Sequence, residues 1–276
     1  MVGNRLLRAS ALLGTYLLLS AIALPTLFPF LWTLATALGT AGSVFTFPPR
    51  VWPESPGLGN FVGIVRTLPV GRYFLNSVEL AFYGVVGTLL VCSLAAYPLA
   101  RLRFVGRDLI FYAIVATLLL PNEAGLIVNF ITLSKLGLVN TYAGVVLPSL
   151  ASTVGIFLLR QAYLAVPEEL LDAARMDGAS ELVVWARIMV PLSAPAMATL
   201  GIFTFVAYWN SFIWPLVVLK DPDRYPLAVG LLYLQGLFAH NTRYIAAGTV
   251  IAMLPILVVF CVAQRYFMRG LEGAVR

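Results

Sequence analysis

The residues whose types and spacing could support chemistry lie mostly in one segment, residues 167–191. This segment carries seven charged residues between Glu168 and Arg187, in a chain that is 61% hydrophobic and 11% charged. Soluble domains carry about 25% charged residues, so the composition indicates a protein with several membrane-spanning segments. Because charges are costly in hydrocarbon, the segment is predicted to lie at or outside the bilayer surface.

Groupings that would support catalysis or metal binding are not found in the sequence. His240 is the only histidine, and Cys92 and Cys261 fall inside apolar runs, which predicts neither a metal site nor a disulfide framework. The phosphate-binding pattern G-x-x-x-x-G-K-[ST] is also absent from the sequence. We therefore expect no catalytic residue, no metal and no cofactor on this chain. An intramembrane enzyme is a disfavoured alternative, because it would need a nucleophile and a base that converge.

Two short helices joined at a glycine are predicted within residues 167–191. Pro167 suits a first helical position, and two glutamates follow it where the helix dipole favours negative charge. Gly178 can adopt the left-handed conformation that ends a helix, and Ser180 can cap a second helix over 181–190. An amphipathic loop that rests on the lipid headgroups has the same pattern. The helical pattern alone leaves these two interpretations open.

We call the two predicted helices and the glycine between them the elbow, residues 165–191. A spaced pattern runs through it: Asp172-Ala173-Ala174, three residues, Gly178, nine residues, Ile188, one residue and Val190-Pro191. It resembles the EAA loop, the signature of the permeases of ATP-binding-cassette (ABC) importers. In that family the loop forms coupling helices that dock into a groove on a cytoplasmic ATPase subunit. Asp172 and Val190 stand where Glu and Leu are usual. The residues that this resemblance implies for contact with the ATPase are Glu168, Glu169, Asp172, Ala173, Ala174, Arg175, Asp177, Gly178, Ile188 and Pro191.

Six apolar segments are long enough to cross a bilayer, which takes about 20 residues of helix. The predicted spans are approximately 11–38, 76–100, 109–133, 142–164, 192–219 and 245–267. The first is too long for the apolar region of a cleaved signal peptide, and the elbow, 165–191, separates the fourth from the fifth. We predict an all-α integral membrane fold over 1–276, a single domain with six transmembrane helices and a cytoplasmic coupling loop. The resemblance implies the transmembrane-domain fold of type I ABC importers.

Basic residues near the ends of the spans predict the orientation. With the N-terminus in the cytoplasm, eleven Lys and Arg residues lie on the cytoplasmic side and seven on the other. Six spans then place both termini and the elbow in the cytoplasm. The net charge of +6 is scattered between apolar spans, so this orientation explains it better than nucleic-acid binding does. We expect a multi-pass membrane protein in contact with lipid, and the resemblance implies the bacterial plasma membrane.

Polar and aromatic residues inside the spans are the candidates for contact with a transported solute. Acidic side chains inside a membrane usually have a function, which makes Glu79 and Glu123 of interest. Pairing of each with a neighbouring helix would explain them too. Aromatic rings stack on the C–H faces of sugars and amides bind hydroxyl groups, but Trp and Tyr also form belts at the membrane interface. The candidate pathway residues are Glu123, Asn129, Tyr208, Trp209, Asn210, Ser211 and Trp214.

Further stretches resemble the carbohydrate-uptake branch of these permeases, namely residues 75–77, 95–101, 134–142, 157–161, 209–216 and 264–271. At Ser211 that branch often has an acid. The resemblance implies uptake of a sugar, oligosaccharide, polyol or glycerol phosphate. It also implies a second permease as heterodimer partner, an ABC ATPase dimer that binds ATP and magnesium, and an extracytoplasmic substrate-binding protein. The main alternative is an ion-coupled secondary transporter, which would require Glu79 or Glu123 and is disfavoured because no clear inverted repeat is found.

Overall fold

The computed structural model describes the backbone of residues 2–42, 44, 52–232, 236 and 241–273. Side chains are described over 12–42, 44, 52–121, 124–232, 236 and 241–262. His240 therefore lies outside the described residues. Regular structure in the described ranges is helical, beside one isolated bridge between Gly39 and Pro56. The predicted all-helical class is confirmed for this part of the chain.

The helices of the described ranges are numbered here in chain order. They are α1 (Val2–Leu38), α2 (Gly59–Thr67), α3 (Val70–Arg101), α4 (Arg107–Ala116), α5 (Leu126–Lys135), α6 (Tyr142–Val146), α7 (Thr153–Leu164), α8 (Glu168–Met176), α9 (Glu181–Val184), α10 (Val190–Leu192), α11 (Ala194–Trp209), α12 (Ile213–Val218), α13 (Leu227–Gly230) and α14 (Thr242–Gly273). A π-helix, Trp185–Met189, joins α9 to α10. Short 3-10 turns stand at Thr117–Leu119, Asn122–Gly125, Leu147–Ser149 and Pro222–Arg224.

Three helical segments among the described residues are long and apolar enough to cross a membrane. They are Leu12–Leu38, Val70–Arg101 and Thr242–Val262. Two further pairs pass the same test only as bent spans: Tyr142–Ser149 with Thr153–Leu164, bent by 51°, and Glu181–Leu192 with Ala194–Trp209, bent by 79°. The described residues thus provide three spans, or up to five if each bent pair is one span, where the sequence predicts six.

The predicted span 109–133 is not one continuous helix. Helix α4 ends at Ala116, and two 3-10 turns precede the start of α5 at Leu126. The interruption centres on Pro121, because proline lacks an N–H and disfavours helical angles at the residue before it. Leu120 accordingly has φ −86° and ψ 130°, an extended conformation.

The predicted span 192–219 is also interrupted. Helix α11 ends at Trp209 and α12 begins at Ile213. Pro215 has no N–H to donate to the carbonyl of Ser211, so an unbroken helix would lack a hydrogen bond at this position. The polar residues between α11 and α12 therefore lie in irregular backbone.

The chain divides into two compact units, of which the first contains Met1–Pro69 and Leu231–Met253. Its small core includes Ala37, Ala246 and Ala247, with Phe61 and Val250 packed against them. The buried amide of Asn60 donates to the carbonyls of Ala37 and Gly39, each at 2.8 Å. These bonds satisfy carbonyl groups that the end of α1 leaves without helical partners.

The second unit contains Val70–Gly230 and Leu254–Arg276. Helix α3 lies at its centre and packs against α7 and α11. The core of this unit takes side chains from α3, α7, α11 and the elbow, among them Tyr97, Leu159, Leu171 and Leu200. The elbow is therefore part of this core, and α3 and α7 are the helices that position it.

Candidate functional site

The elbow turns at Gly178, which has φ +83°. The Gly178 N–H donates to the carbonyl of Arg175 at 3.0 Å, and the Ala179 N–H donates to that of Ala174 at 3.0 Å. This pair of bonds is the Schellman motif, which closes a helix through a left-handed residue. A Cβ at residue 178 would meet nothing within 4 Å. Glycine is thus favoured there by its backbone conformation, since space is available.

The elbow differs in two details from its predicted form. Pro167 has φ −58° and ψ 137°, so it precedes α8 as the N-cap residue and Glu168 is the first helical residue. The second arm is three consecutive pieces, α9, the π-helix and α10, where the sequence predicts one helix over 181–190. Ser180 stands before α9, and its backbone carbonyl accepts from Val183 and Val184 at 2.9 and 3.0 Å. Its side chain makes no capping bond.

One face of the elbow is buried in the core of the second unit. The side chains of Leu171, Val184 and Met189 are each 0% exposed. They pack in the cluster that contains Tyr97 and Leu159. Each buried side chain of this size stabilises the fold by about 1.5–3 kcal/mol, so the elbow is held firmly against α3 and α7.

The opposite face of the elbow exposes apolar side chains among acidic ones. Leu170 is 47% exposed, Met176 88% and Leu182 70%. Acidic residues on the same exposed surface are Glu168, Glu169, Asp172 and Asp177. Large exposed apolar patches that are rimmed by polar residues are typical of surfaces that contact another macromolecule. We define these residues, together with Ala173, as the outer face of the elbow.

Arg175 joins the two arms of the elbow across Gly178. Its Nε donates to Glu181 Oε1 at 2.9 Å and its Nη1 donates to Asp172 Oδ1 at 3.0 Å. The hydrogen bond to Glu181 is the main cause that raises the pKa of the Arg175 guanidinium above its ordinary value, with a further contribution from Asp172. Ion pairs at a surface contribute only about 0–1 kcal/mol. This one bridges the two arms of the elbow.

Three residues of α3 contact the elbow, and the sequence patterns did not predict this contact. The Tyr97 hydroxyl donates to Glu181, Trp185 Nε1 donates to Ser93 Oγ at 2.8 Å, and Arg101 pairs with Glu168 at 3.3 Å. Ser93, Tyr97 and Arg101 are spaced by four residues, so they lie on one helix face. The four-residue spacing of polar residues in an apolar span is the sequence signal from which this contact face of α3 could have been predicted.

The ten predicted coupling residues differ in exposure. Those exposed in this chain are Glu168, Glu169, Asp172, Ala173, Asp177, Gly178 and Pro191, and those half-buried are Ala174, Arg175 and Ile188. Ala174 and Ile188 pack against the apolar core of the second unit. The assignment of the ten residues to ATPase contact stays a prediction.

The predicted pathway residues separate into two environments. The Tyr208 hydroxyl donates to the carbonyl of Val146 at 3.2 Å, and Trp214 Nε1 donates to that of Val145 at 3.2 Å. Both side chains are half-buried, and they bond to adjacent carbonyls at the end of α6. Trp209 is 3% exposed and packs between aromatic rings of α3 and α11. The structure therefore places Tyr208 and Trp214 at neighbouring carbonyls of α6 and Trp209 in the core.

The remaining pathway candidates are dispersed. Asn210 is exposed and Ser211 half-buried in the irregular backbone between α11 and α12. Asn129 is exposed on α5 and Glu79 is exposed on α3. The Glu123 side chain lies outside the described residues. A role in solute contact stays a prediction for Asn129, Asn210, Ser211 and Glu123.

The ring of Tyr208 packs directly against the backbone of Gly84 in α3. A Cβ on residue 84 would lie only 2.4 Å from Tyr208 Cδ2, which is too close for two carbon atoms. We predict that Gly84→Ala lowers the free energy of unfolding by about 1–3 kcal/mol, the usual cost of overpacking. Thermal denaturation of the purified protein in detergent measures this loss. Gly71→Ala on the same helix is the matched control, because nothing lies within 4 Å of its added Cβ. Equal stability of the two variants would contradict the close approach of the Tyr208 ring.

Comparison with known proteins identifies relatives over most of the chain. Residues 87–276 match the family described as binding-protein-dependent transport system inner membrane component. The arabinooligosaccharides transport system permease protein AraQ of Halalkalibacterium halodurans is 38% identical over 226 residues, 81% of each chain. The lactose transport system permease protein LacG of Rhizobium radiobacter is 33% identical, covering 95% of each chain. The sn-glycerol-3-phosphate transport system permease protein UgpE of Pectobacterium atrosepticum is 33% identical over 90% of this chain and 91% of its own.

Solved structures share the fold. A chain of a bacterial ABC transporter involved in the import of the acidic polysaccharide alginate has a TM-score of 0.80 at 24% identity, covering 94% of this chain and 98% of its own. A chain of the alginate transporter in complex with an alginate pentasaccharide-bound periplasmic protein has a TM-score of 0.63 at 18% identity, covering 92% and 94%. The match over 87–276 and the identity to curated permeases confirm the predicted family. This chain belongs to the binding-protein-dependent transport system inner membrane components, the permease subunits of ABC importers.

Proposed function

We propose that this chain lines the pathway of an importer for a sugar, oligosaccharide, polyol or glycerol phosphate, and that its elbow receives the push of a separate ATPase. The solute class is supported by the relatives, whose names give arabinooligosaccharides, lactose and sn-glycerol-3-phosphate as the transported solutes. The half-buried aromatic side chains of Tyr208 and Trp214 suit a sugar, because aromatic rings stack on C–H faces. A second permease completes the pathway, and an extracytoplasmic binding protein delivers the solute.

The observation that carries the coupling role is the contrast between the two faces of the elbow. The inner face is fully buried at Leu171, Val184 and Met189. On the outer face Leu170, Ala173 and Met176 recur every three residues, which aligns them along one side of α8. A short helix with an apolar stripe and acidic flanks suits a groove on a partner protein. The elbow therefore presents one side to its own membrane domain and the other side to the separate ATPase.

The proposed mechanism converts closure of two ATPase subunits into a change of access. ATP binding by the ATPases pulls them together and moves α8, while Gly178 and Arg175 hold the angle to the second arm. Ile188 and Pro191 pass the motion on towards α11. The pathway then changes from inward-facing to outward-facing. In this proposal the interrupted segments 109–133 and 192–219 each cross the membrane, which gives six spans with both termini in the cytoplasm.

Charge reversal on the outer face tests the coupling role. In proteoliposomes with the second permease, the ATPase and the binding protein, Glu169→Lys combined with Asp172→Lys should lower solute uptake by about tenfold or more, the effect of losing hot-spot contacts. ATP hydrolysis and membrane insertion should persist, because both side chains are exposed in this chain. The neutral pair Glu169→Gln and Asp172→Asn is the matched control and should give an intermediate loss. Unchanged uptake per ATP in the reversed variant would contradict the proposal.

The side of the membrane is tested independently with Ser180→Cys at the turn of the elbow. A membrane-impermeant thiol reagent should label it only from the cytoplasmic side. Ser180 is exposed, so the cysteine is accessible to the reagent. Labelling from the outside would exclude contact with a cytoplasmic ATPase.

A further inference from the structure

We propose that two neighbouring spans form a solute subsite at the middle of the membrane, and that this subsite accepts hydroxyl groups of a neutral sugar or polyol. It lies where both spans break, at residues 117–125 and 147–152, which we call the midplane breaks. Its central groups are the hydroxyls of Thr117 and Thr153. The inference rests on the proposed function for the direction of the spans and for transport. It adds which groups meet the solute and which of the proposed solutes they fit.

Helices α4 and α7 lie side by side and bring the two breaks together. Near the cytoplasmic ends of the proposed orientation, the Arg160 guanidinium of α7 lies 3.9 Å from the centre of the Phe111 ring of α4. That ring also stacks on Phe157, with ring centres 6.1 Å apart. At the opposite ends of the two helices, the hydroxyls of Thr117 and Thr153 lie 2.9 Å apart. The helices are therefore antiparallel and end at the same level.

The lengths of α4 and α7 place that level near the middle of the membrane. Helix α4 has 10 residues and α7 has 12. At 1.5 Å per residue they are about 15 and 18 Å long. The hydrocarbon core of a bilayer is about 30 Å thick. Because both helices start or end at the cytoplasmic side in the proposed orientation, their other ends lie close to the midplane.

The midplane breaks are exposed in this chain. Leu119 is 86% exposed, and Ser149 and Ala151 are exposed in the other break. Irregular backbone at this depth does not face lipid, because it is tolerated only where protein covers it or where it lines a water-filled cavity. Hydroxyl side chains gather at the breaks, namely Thr117, Ser149, Ser152 and Thr153. Such groups favour a water-filled solute pathway over an apolar contact with the second permease.

The two central hydroxyls offer acceptors to a solute. The Thr117 hydroxyl donates to the carbonyl of Ile114 at 2.7 Å. A hydroxyl has one hydrogen to donate and two lone pairs that accept. The 2.9 Å bond between the threonines is therefore donated by Thr153 and accepted by Thr117. Both hydrogens are engaged within the chain, so the remaining lone pairs accept hydrogen bonds from the O–H groups of a solute.

The charges around the subsite fit a neutral solute better than a phosphate. Neither break contains a lysine or arginine, and the first contains Glu123. Arg160 lies about two turns further along α7 and donates to the carbonyl of Leu99 at 3.0 Å. At the start of α7 the Gly155 N–H donates to Ser152 Oγ at 3.2 Å. Because phosphates bind best to cationic donors, the subsite fits a sugar or polyol and disfavours a glycerol phosphate.

Thiol labelling tests whether the midplane breaks meet water in the complete importer, with both permeases, ATPase and binding protein in nanodiscs. Cys261 is replaced by serine, and Cys92 is retained because it is 0% exposed. Single cysteines at Leu119 and Ala151 should react with a small membrane-impermeant thiol reagent in the nucleotide-free or the vanadate-trapped state, because the reactive thiolate forms in water. Leu24→Cys is the matched control and should stay unlabelled, since Leu24 is 68% exposed on an unbroken apolar helix.

Paired variants test the two hydroxyls. Thr117→Val with Thr153→Val keeps the shape of both side chains and should lower solute uptake into proteoliposomes by about threefold to tenfold, the effect of losing hydrogen bonds to the solute. Thr117→Ser with Thr153→Ser keeps both hydroxyls and should retain uptake near the wild-type rate. Thr26→Val is the matched control, because the Thr26 hydroxyl also donates to a carbonyl of its own helix, that of Ile22 at 2.8 Å. It should leave uptake unchanged.

A panel of four test solutes examines the solute class. The wild-type importer is given lactose, arabinotriose, glycerol and sn-glycerol-3-phosphate in turn. We expect uptake of at least one of the three neutral solutes and none of sn-glycerol-3-phosphate.

Three results would overturn the subsite. Cysteines at 119 and 151 that stay unlabelled in both states would show that the second permease covers the breaks. Equal uptake by the valine pair and the serine pair would show that the hydroxyls do not meet the solute. Uptake of sn-glycerol-3-phosphate would contradict the neutral class. In each case import of a panel solute leaves the proposed function standing, whereas uptake of none of the four would contradict the proposed function and the subsite with it.

Discussion

Replacing both Met176 and Leu182 by aspartate is expected to abolish ATP-driven uptake while the chain still folds and inserts. The two side chains are 88% and 70% exposed, so the chain alone loses little packing. Exposed substitutions change the free energy of unfolding by only about 0.5 kcal/mol. If the outer face sits in a groove of the ATPase, each aspartate buries a charge in an apolar contact at a cost of about 2–4 kcal/mol. Together they should lower uptake by at least about a hundredfold.

Co-purification of the ATPase with the permease and solute uptake into proteoliposomes measure this loss. Val105→Asp is the matched control, because Val105 is a fully exposed apolar residue in the turn after α3, away from the elbow. It should retain the ATPase and normal uptake. Retention of the ATPase by the Met176 and Leu182 double variant would show that the outer face is not the docking surface.

Local signals were sufficient to predict where the first arm of the elbow ends. Gly178 was predicted to end a helix, and its φ of +83° together with the Schellman bonds realises that geometry. Glycine and the polar residues around a helix start act through neighbours within four residues. Such preferences can be read from a sequence without knowledge of the fold.

Packing partners distant in sequence were not predictable in the same way. Arg101 has the position of a cytoplasmic arginine at the end of a span, yet its side chain is 6% exposed. Its partners Tyr163, Val166 and Glu168 lie 62 to 67 residues further along the chain. The sequence around an arginine does not distinguish one that is exposed to solvent from one that donates to the last carbonyls of a neighbouring helix. Only tertiary packing decides between the two.

Helix breaks inside apolar segments limited the prediction of the spans. Pro121 and Pro215 stand in segments whose hydropathy suits continuous spans, and in both cases the structure breaks the helix near the proline. Pro98 by contrast lies within α3, which continues to Arg101. Hydropathy registers apolar character alone, whereas a break depends on whether the freed carbonyl finds another partner. The sequence alone therefore predicts that these segments are apolar, but not which of them are straight.

Leu171→Ala should lower the free energy of unfolding by about 2–5 kcal/mol, the cost of a cavity at a fully buried leucine. Leu171 is 0% exposed and carries α8 into the core of the second unit, so its loss should also release the elbow from α3 and α7. Leu170→Ala is the matched control one residue away, because Leu170 is 47% exposed. It should change the stability of the isolated chain by only about 0.5 kcal/mol. Thermal denaturation of both variants in detergent measures the difference, and uptake by the complete importer with its ATPase should be impaired by Leu170→Ala although the isolated chain keeps its stability. Equal stability losses at 170 and 171 would mean that α8 does not present the faces described.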